Sequence, residues 1–279
     1  MIVLKIAVLS DIHGNFTALK KVLDDIAEQQ PDEIYSLGDQ IGFYPRLNET
    51  LDLLDQAGVI CLLGNHEEFI IEYRFSDKEK VKEYWYHRSY DWMGTQMGQR
   101  DFCKLPRVLQ IKREGVNILM SHMQEWAECP EGGLHLFGHT HEKLLHRTRS
   151  NYILNPGAVG DPLGSYQHPE AHYVLLEILD GTIQVFFRAI PYSTESIWQS
   201  FIDSGCYNID PVLSRLLMEM LETGVSNSIF GRYISQARDI MRAEGLQSDQ
   251  IPSYIWQKTA EEFQWMYPNK FTQCKCYHS

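Results

Sequence analysis

Through the first sixty positions apolar residues fall in short runs, and each run ends on the same kind of polar turn. Ile2-Val3-Leu4-Lys5-Ile6-Ala7-Val8-Leu9 is rich in β-branched residues and reads as a buried strand. Ala18, Leu19, Val22, Leu23 and Ile26 then keep helical spacing, which predicts a helix from Phe16 to Ala27. Glu33–Leu37 and Val59–Leu63 predict two further strands. Between them Leu47, Leu51, Leu53, Leu54 and Ala57 predict an amphipathic helix that Gly58 stops. Three strand–turn–helix units in succession imply βαβ architecture and a mainly parallel sheet.

The pattern changes twice downstream. From about Glu68 to Gln99 the chain is polar and aromatic, with Tyr73, Phe75, Tyr84, Trp85, Tyr86, Tyr90 and Trp92; helices beside the site are expected, the rings filling a satellite core or stacking on substrate. After Pro106, Val108–Lys112 and Val116–Met120 flank Arg113-Glu114-Gly115 as a hairpin. Leu134–Phe137, Leu144–Arg147 and Tyr152–Leu154 follow as short strands, and His172–Leu179 pairs with Thr182–Ile190 across Asp180-Gly181. Two strand-rich halves predict an α/β fold of two sheets packed face to face with helices outside. Beyond Pro191 the periodicity is helical, strongest at Val212, Leu213, Leu216, Leu217, Met220 and Leu221. The expected division is residues 1–192 and a helical extension over 193–279.

Length and composition narrow the reading without deciding it. The 279 residues suit one large α/β domain with an appendage. A formal net charge of -12 argues against a nonspecific grip on nucleic acid. The apolar start is broken by Lys5 and leads into Asp11 and His13, unlike a signal peptide, and no run approaches the roughly 20 apolar residues of a membrane span. Cys61, Cys103, Cys129 and Cys206 are scattered, and Cys274 and Cys276 lie in the tail; this is no disulfide framework, so a cytoplasmic location is expected.

The polar turns carry the candidate chemistry. Asp11 and His13 stand where the first strand gives way to a helix, where open α/β sheets bind ligands. Read alone, Ser10-Asp11 is a helix cap. Recurrence changes that reading: Asp39, the Asn65-His66 pair, His122, and the His139 and His141 pair occupy the same kind of position in four other segments. Buried acids and imidazoles need a partner. A mixed oxygen and nitrogen set suits Mn²⁺, Fe, Zn²⁺ or Ni²⁺ better than Ca²⁺, and seven ligands exceed one tetrahedral site but fit two ions sharing a carboxylate. His135 and His146 lack such placement and read as ordinary.

The ordered set Asp-x-His, Gly-Asp-x-x-Gly, Gly-Asn-His-Glu, a lone His and Gly-His-x-His resembles the calcineurin-like metallophosphoesterases. Ser-Asp-Ile-His-Gly-Asn, Asn-Pro-Gly-Ala-Val-Gly and Phe-Arg-Ala-Ile-Pro-Tyr bring it nearest their small bacterial phosphodiesterase branch. The resemblance covers about residues 5–192 and implies an α/β/β/α sandwich. It implies that Asp11, His13 and His141 hold one ion, Asn65, His122 and His139 the second, and Asp39 both, with His66 aiding the leaving oxygen. Two chain positions depart from it. Gly42-Phe43 stands where many relatives carry Asp-Arg, the Arg of which contacts phosphate, and Met123 follows His122 where Gly is common. Arg46, Arg74 and Arg188 are the substitutes to weigh against ordinary surface pairing.

The expected protein is therefore a metal-dependent phosphoesterase with two transition-metal ions, Mn²⁺ foremost. It would hydrolyse a phosphomonoester or phosphodiester (a nucleotide, small diester or phosphoprotein) by direct attack of a hydroxide shared by the ions, with Asp39, Asn65 and His66 at the reacting centre. No nucleophilic Cys or Ser motif suggests a covalent intermediate. The rival reading is a non-catalytic metal-binding scaffold on the same fold. In it Trp256, Phe263 and Trp265 would form an interface instead of covering the sheet.

Overall fold

The structure is a computed structural model that describes residues 3–75, 87–98, 100–161, 169–223, 226–247 and 251–266. Tyr84, Trp85, Tyr86, Cys274 and Cys276 lie outside the described residues. In chain order the elements are β1 (Leu4–Leu9), α1 (Phe16–Gln29), β2 (Glu33–Ser36), α2 (Leu47–Gln56), β3 (Ile60–Cys61), α3 (Asn65–Phe75) and α4 (His87–Gln96). There follow β4 (Val108–Arg113), β5 (Val116–Ser121), β6 (Leu134–Leu136), β7 (Lys143–Arg147), β8 (Tyr152–Pro156), β9 (Glu170–Leu179) and β10 (Thr182–Pro191). The chain continues in α5 (Glu195–Asp203), α6 (Cys206–Ile209), α7 (Pro211–Thr223), α8 (Ser226–Ala243) and α9 (Ser253–Glu262).

The strands form two mixed five-stranded sheets, β10-β9-β1-β2-β3 and β4-β5-β6-β8-β7, flanked by helices. Within the first, β1, β2 and β3 are parallel and the β9–β10 hairpin adds antiparallel strands at the other edge. In the second, β5, β6 and β8 are parallel and β4 and β7 close the edges antiparallel. Strand alternation divides the core. Ile6, Val8, Val174, Leu176 and Ile178 face Ile118, Met120, Leu134, Leu136 and Leu154 between the sheets. Ala7, Leu9, Tyr173 and Leu175 point the other way, against Ala18, Leu19, Val22 and Ile26 of α1.

That second layer does not stop at the first 192 residues. Phe201 of α5 and Leu213, Leu217 and Leu221 of α7 join the cluster of α1 and Tyr44. Farther out, α7, α8 and α9 enclose a core of their own, in which Trp256 stacks on Tyr233 at 5.7 Å and Phe263 meets it edge-on at 5.1 Å. Trp256 and Phe263 thus fill a helical core and neither cover the sheet nor face outward. Trp265 packs against the same cluster beneath Arg215, 4.0 Å from its ring.

The predicted strand over Val59–Leu63 shrinks to Ile60–Cys61. Past Cys61 the Leu62 N–H still bonds Ser36, but the Leu63 N–H turns to Pro106, so the chain leaves the ladder early. Asn65 and His66, expected in a turn, form the first helical turn of α3. Glu67 explains this: its carboxylate accepts from the Gly64 N–H at 2.8 Å, the reciprocal half of a capping box.

Candidate metal centre

Every predicted site residue follows the carboxyl end of a strand: Asp11 and His13 after β1, Asp39 after β2, Asn65 and His66 after β3, His122 after β5, His139 and His141 after β6. The helix cap that Asp11 could have served is supplied by Asn15, whose side chain accepts from the Ala18 N–H at 3.1 Å. Asp11 is left free to face inward. The two residues do not reach the site as alternating positions of an extended strand, however. Asp11 and His13 have φ of 54° and 53°, Asp39 53°, His139 67° and His141 60°. Left-handed backbone is uncommon outside glycine, although Asp and His adopt it more readily than most residues, and such strain gathers at functional sites. Backbone bonds hold it: Ile12 and His13 N–H groups donate to the Asp39 carbonyl at 2.8 and 2.9 Å, and Asp11 to Gly38 at 3.1 Å.

The side chains converge. His13 Nε2 lies 3.1 Å from His141 Nε2, 4.0 Å from Asp11 Oδ1 and 3.9 Å from Asp39 Oδ2. Asp39 Oδ2 is also 3.3 Å from His122 Nε2 and 3.9 Å from His66 Nε2. Asn65 Oδ1 sits between His122 Nε2 at 2.8 Å and His139 Nδ1 at 2.9 Å. Asp11, His13 and His141 form one cluster with metal-ligand spacing, and Asp39 joins His13 to His66 and Asp11 to His122 in two more. His135 is elsewhere, bonded to Ser121 Oγ at 2.8 Å, and His146 is exposed on β7.

Residues 4–181 match the calcineurin-like phosphoesterase superfamily domain. The chain belongs to that superfamily. It is 26% identical over 216 residues to the Methanocaldococcus jannaschii protein MJ0912, a match spanning 64% of this chain and 85% of that one. Among solved structures it is similar to a metallophosphoesterase from Sphaerobacter thermophilus, with a TM-score of 0.59 at 23% identity over 77% of this chain and 98% of that one. It is similar also to hypothetical protein PH1004 from Pyrococcus horikoshii, with a TM-score of 0.64 at 18% identity over 77% and 97%.

The charges in this calcineurin-like site fit divalent cations. Asp11 and Asp39 are both buried. Burial opposes their ionisation, but the imidazoles around them outweigh it: His141 foremost holds Asp11 at about 2, and His66 and His122 hold Asp39 far down. The same contacts act in reverse on the imidazoles. Burial disfavours charge on His122 and His141, and Asp39 and Asp11 lift each to about 9. Burial, with His66 beside it, keeps His13 well below its usual value. The two buried acids are met by imidazoles and by the N–H groups of His139 and His66, and together these side chains form a mixed oxygen and nitrogen donor set of the kind that divalent metal ions take.

Outer contacts fix which nitrogen is presented. His122 Nδ1 meets the Leu37 carbonyl at 3.2 Å and His141 Nδ1 the Asp161 carbonyl at 2.7 Å, leaving Nε2 toward the centre. Glu67 accepts from the N–H groups of Asp39 at 3.0 Å and Ile41 at 3.1 Å as well as Gly64, and so locks the Asp39 loop to α3. Asp39 answers with Oδ1, which accepts from the His66 N–H at 2.9 Å. Glu67 was present in the Gly-Asn-His-Glu motif as a helix-start signal. The sequence carried no comparable sign for Asp161.

Gly42 and Phe43 shape the wall of the site. A Cβ at position 42 would come within 2.5 Å of His13 Nδ1 and 2.9 Å of His66 Nδ1, and φ there is +153°. The freed space lets Phe43 stack on His13 at 4.6 Å and meet His66 edge-on at 4.9 Å. Phe69, 40% exposed, continues the aromatic rim beside His66. The three arginines weighed as phosphate contacts have partners elsewhere. Arg46 pairs with Glu49 over the Phe16 ring, Arg74 donates to the Gly98 and Arg100 carbonyls, and Arg188 pairs with Asp25.

Proposed function

We propose that the chain is a dinuclear metal-dependent phosphoesterase that hydrolyses a phosphomonoester or phosphodiester. Asp11, His13 and His141 would hold one ion, Asn65, His122 and His139 the other, and Asp39 both. The observation that carries this reading is the Asp39 carboxylate, which reaches the imidazoles of His13, His66 and His122 within 3.9 Å. When bound, two divalent ions supply Lewis acidity that makes water nucleophilic near neutral pH and neutralises the phosphoryl oxygens. Mn²⁺ is the ion proposed, and the mixed oxygen and nitrogen donors also suit Fe, Zn²⁺ or Ni²⁺.

The chain's own part is orientation and proton handling. His66 Nε2 faces the Asp39 side of the site, within reach of a leaving oxygen, to which it would give a hydrogen bond or a proton. Phe43 and Phe69 line the His66 side with apolar surface. Substrates to be tried are nucleotides, small diesters and phosphorylated peptides. Among the described residues no helix is long and apolar enough to cross a membrane. The four described cysteines are free, which is in keeping with the reducing cytoplasm we propose for the protein.

The test is hydrolysis of bis-p-nitrophenyl phosphate and p-nitrophenyl phosphate by chelator-stripped protein with each metal added back. Turnover restored by Mn²⁺ and two ions per chain are expected, and on a phenyl ester, whose leaving oxygen is the stronger base, His66→Ala should lower kcat by about 10²–10⁴. No turnover with any metal, in wild type and His66→Ala alike, would overturn the enzyme reading and favour a scaffold, whereas turnover that His66→Ala leaves unchanged on the phenyl ester would overturn the role given to His66. One tightly bound ion per chain would overturn the dinuclear centre.

A further inference from the structure

His66 has a partner outside every motif that carries the superfamily resemblance. Its Nδ1 lies 3.1 Å from the hydroxyl of Tyr90, on α4. A histidine that serves a reacting oxygen through Nε2 depends on what its Nδ1 meets, because that bond sets the ring's orientation and tautomer. A Cβ on Gly42 would lie 2.9 Å from the same Nδ1, so glycine there leaves that nitrogen open to the Tyr90 hydroxyl. Tyr90 is itself buried, and its ring packs edge-on against Phe69 at 6.0 Å. The neighbouring Ser89 donates to Asp210 Oδ2 at 2.9 Å, while Asp210 Oδ1 accepts from the Leu213 N–H at 3.0 Å and so caps α7.

We infer that Tyr90 is the positioning residue for His66, and that the C-terminal helices hold it there through the Ser89–Asp210 bond. This rests on the phosphoesterase reading. The Tyr90 hydroxyl donates to Nδ1, so that the hydrogen resides on Nε2, on the side of the ring that faces Asp39. Without that bond the ring is free to exchange tautomers and to turn away from the leaving oxygen. The C-terminal helices, which lie beyond the matched residues 4–181, then contribute to the site without touching substrate.

Tyr90→Phe tests this, because it keeps the ring and removes only the hydroxyl. Two aryl phosphodiesters should be compared: one releases p-nitrophenolate, a weak base that departs with little help, and the other phenolate, a stronger base that depends on the hydrogen bond from His66 Nε2–H. The variant should lose roughly 10–100-fold in kcat on the phenyl ester. On the p-nitrophenyl ester it should stay within about threefold, with KM and metal stoichiometry unchanged. In a His66→Ala background the same change should have no further effect. ¹⁵N NMR of imidazole nitrogens in the Zn²⁺-loaded protein should show His66 as a single Nε2–H tautomer, and mixed tautomers in Tyr90→Phe. Equal losses on both esters, the same loss without His66, or an unchanged NMR signature would overturn the inference. Should Tyr90→Phe fail to fold, Ser89→Ala loosens the same helix and must show the same dependence on leaving group. A wild type inert on both esters refutes the phosphoesterase reading, whereas the NMR result judges the Tyr90 contact by itself.

Discussion

Five of the site's side chains stand on left-handed backbone, a conformation that costs L-residues about 1–2 kcal/mol each. The strain persists because Asp39 and its loop are bonded from three directions: to the β1 turn, to Glu67, and through Oδ1 to α3. Space is as tightly set as conformation. Gly42→Ala would drive a methyl into two imidazoles and impose a strained φ as well. We expect it to weaken metal binding at least tenfold by calorimetry while the fold, read by circular dichroism, remains. Gly58→Ala is the control, with φ +66° but nothing within 4 Å of the added carbon. It should cost about 1–2 kcal/mol in stability and leave metal affinity unchanged.

At the scale of elements, α1 is fastened to the β9–β10 hairpin by one carboxylate. Asp25 accepts from Tyr173 Oη at 2.5 Å and pairs with Arg188 at 2.8 Å. Partial burial works against its ionisation, but the bonds from Arg188 and Tyr173 outweigh that and hold its carboxyl below the ordinary 3.8. A folded-state value below the unfolded one means the stabilisation is complete above about 3.8 and is lost as pH falls through the folded value. Melting temperatures of wild type and Asp25→Asn should therefore differ most at pH 6–7 and converge below pH 4. A gap that widens in acid would contradict the pairing. The elements themselves were largely readable from periodicity. The misses were local: β3 ends early because Leu63 is drawn to Pro106, and α3 begins early because Glu67 caps it.

The whole molecule shares a core across the point where the superfamily match ends. Phe201 is fully buried against Tyr44, with ring centroids 6.0 Å apart, in the cluster that also holds α1. Phe201→Ala should cost about 3–5 kcal/mol, measured by denaturant titration. It should lower one common transition and not a separate one for the C-terminal helices. Two transitions, with only the weaker one moved, would mean that the helices fold independently.

The sequence alone determined the strand and helix succession, the two-sheet architecture and all eight polar residues at the strand tips. Each depends on residue type and local spacing, which is what periodicity and turn chemistry encode. Only the tertiary structure decided that Asp11 and His13 meet the site through a left-handed turn, that Arg46, Arg74 and Arg188 are engaged elsewhere, and that Trp256 and Phe263 fill a core of their own. It decided also that Tyr90 reaches His66 from a helix with no motif, since a contact between segments far apart in the chain leaves no mark on either one's pattern.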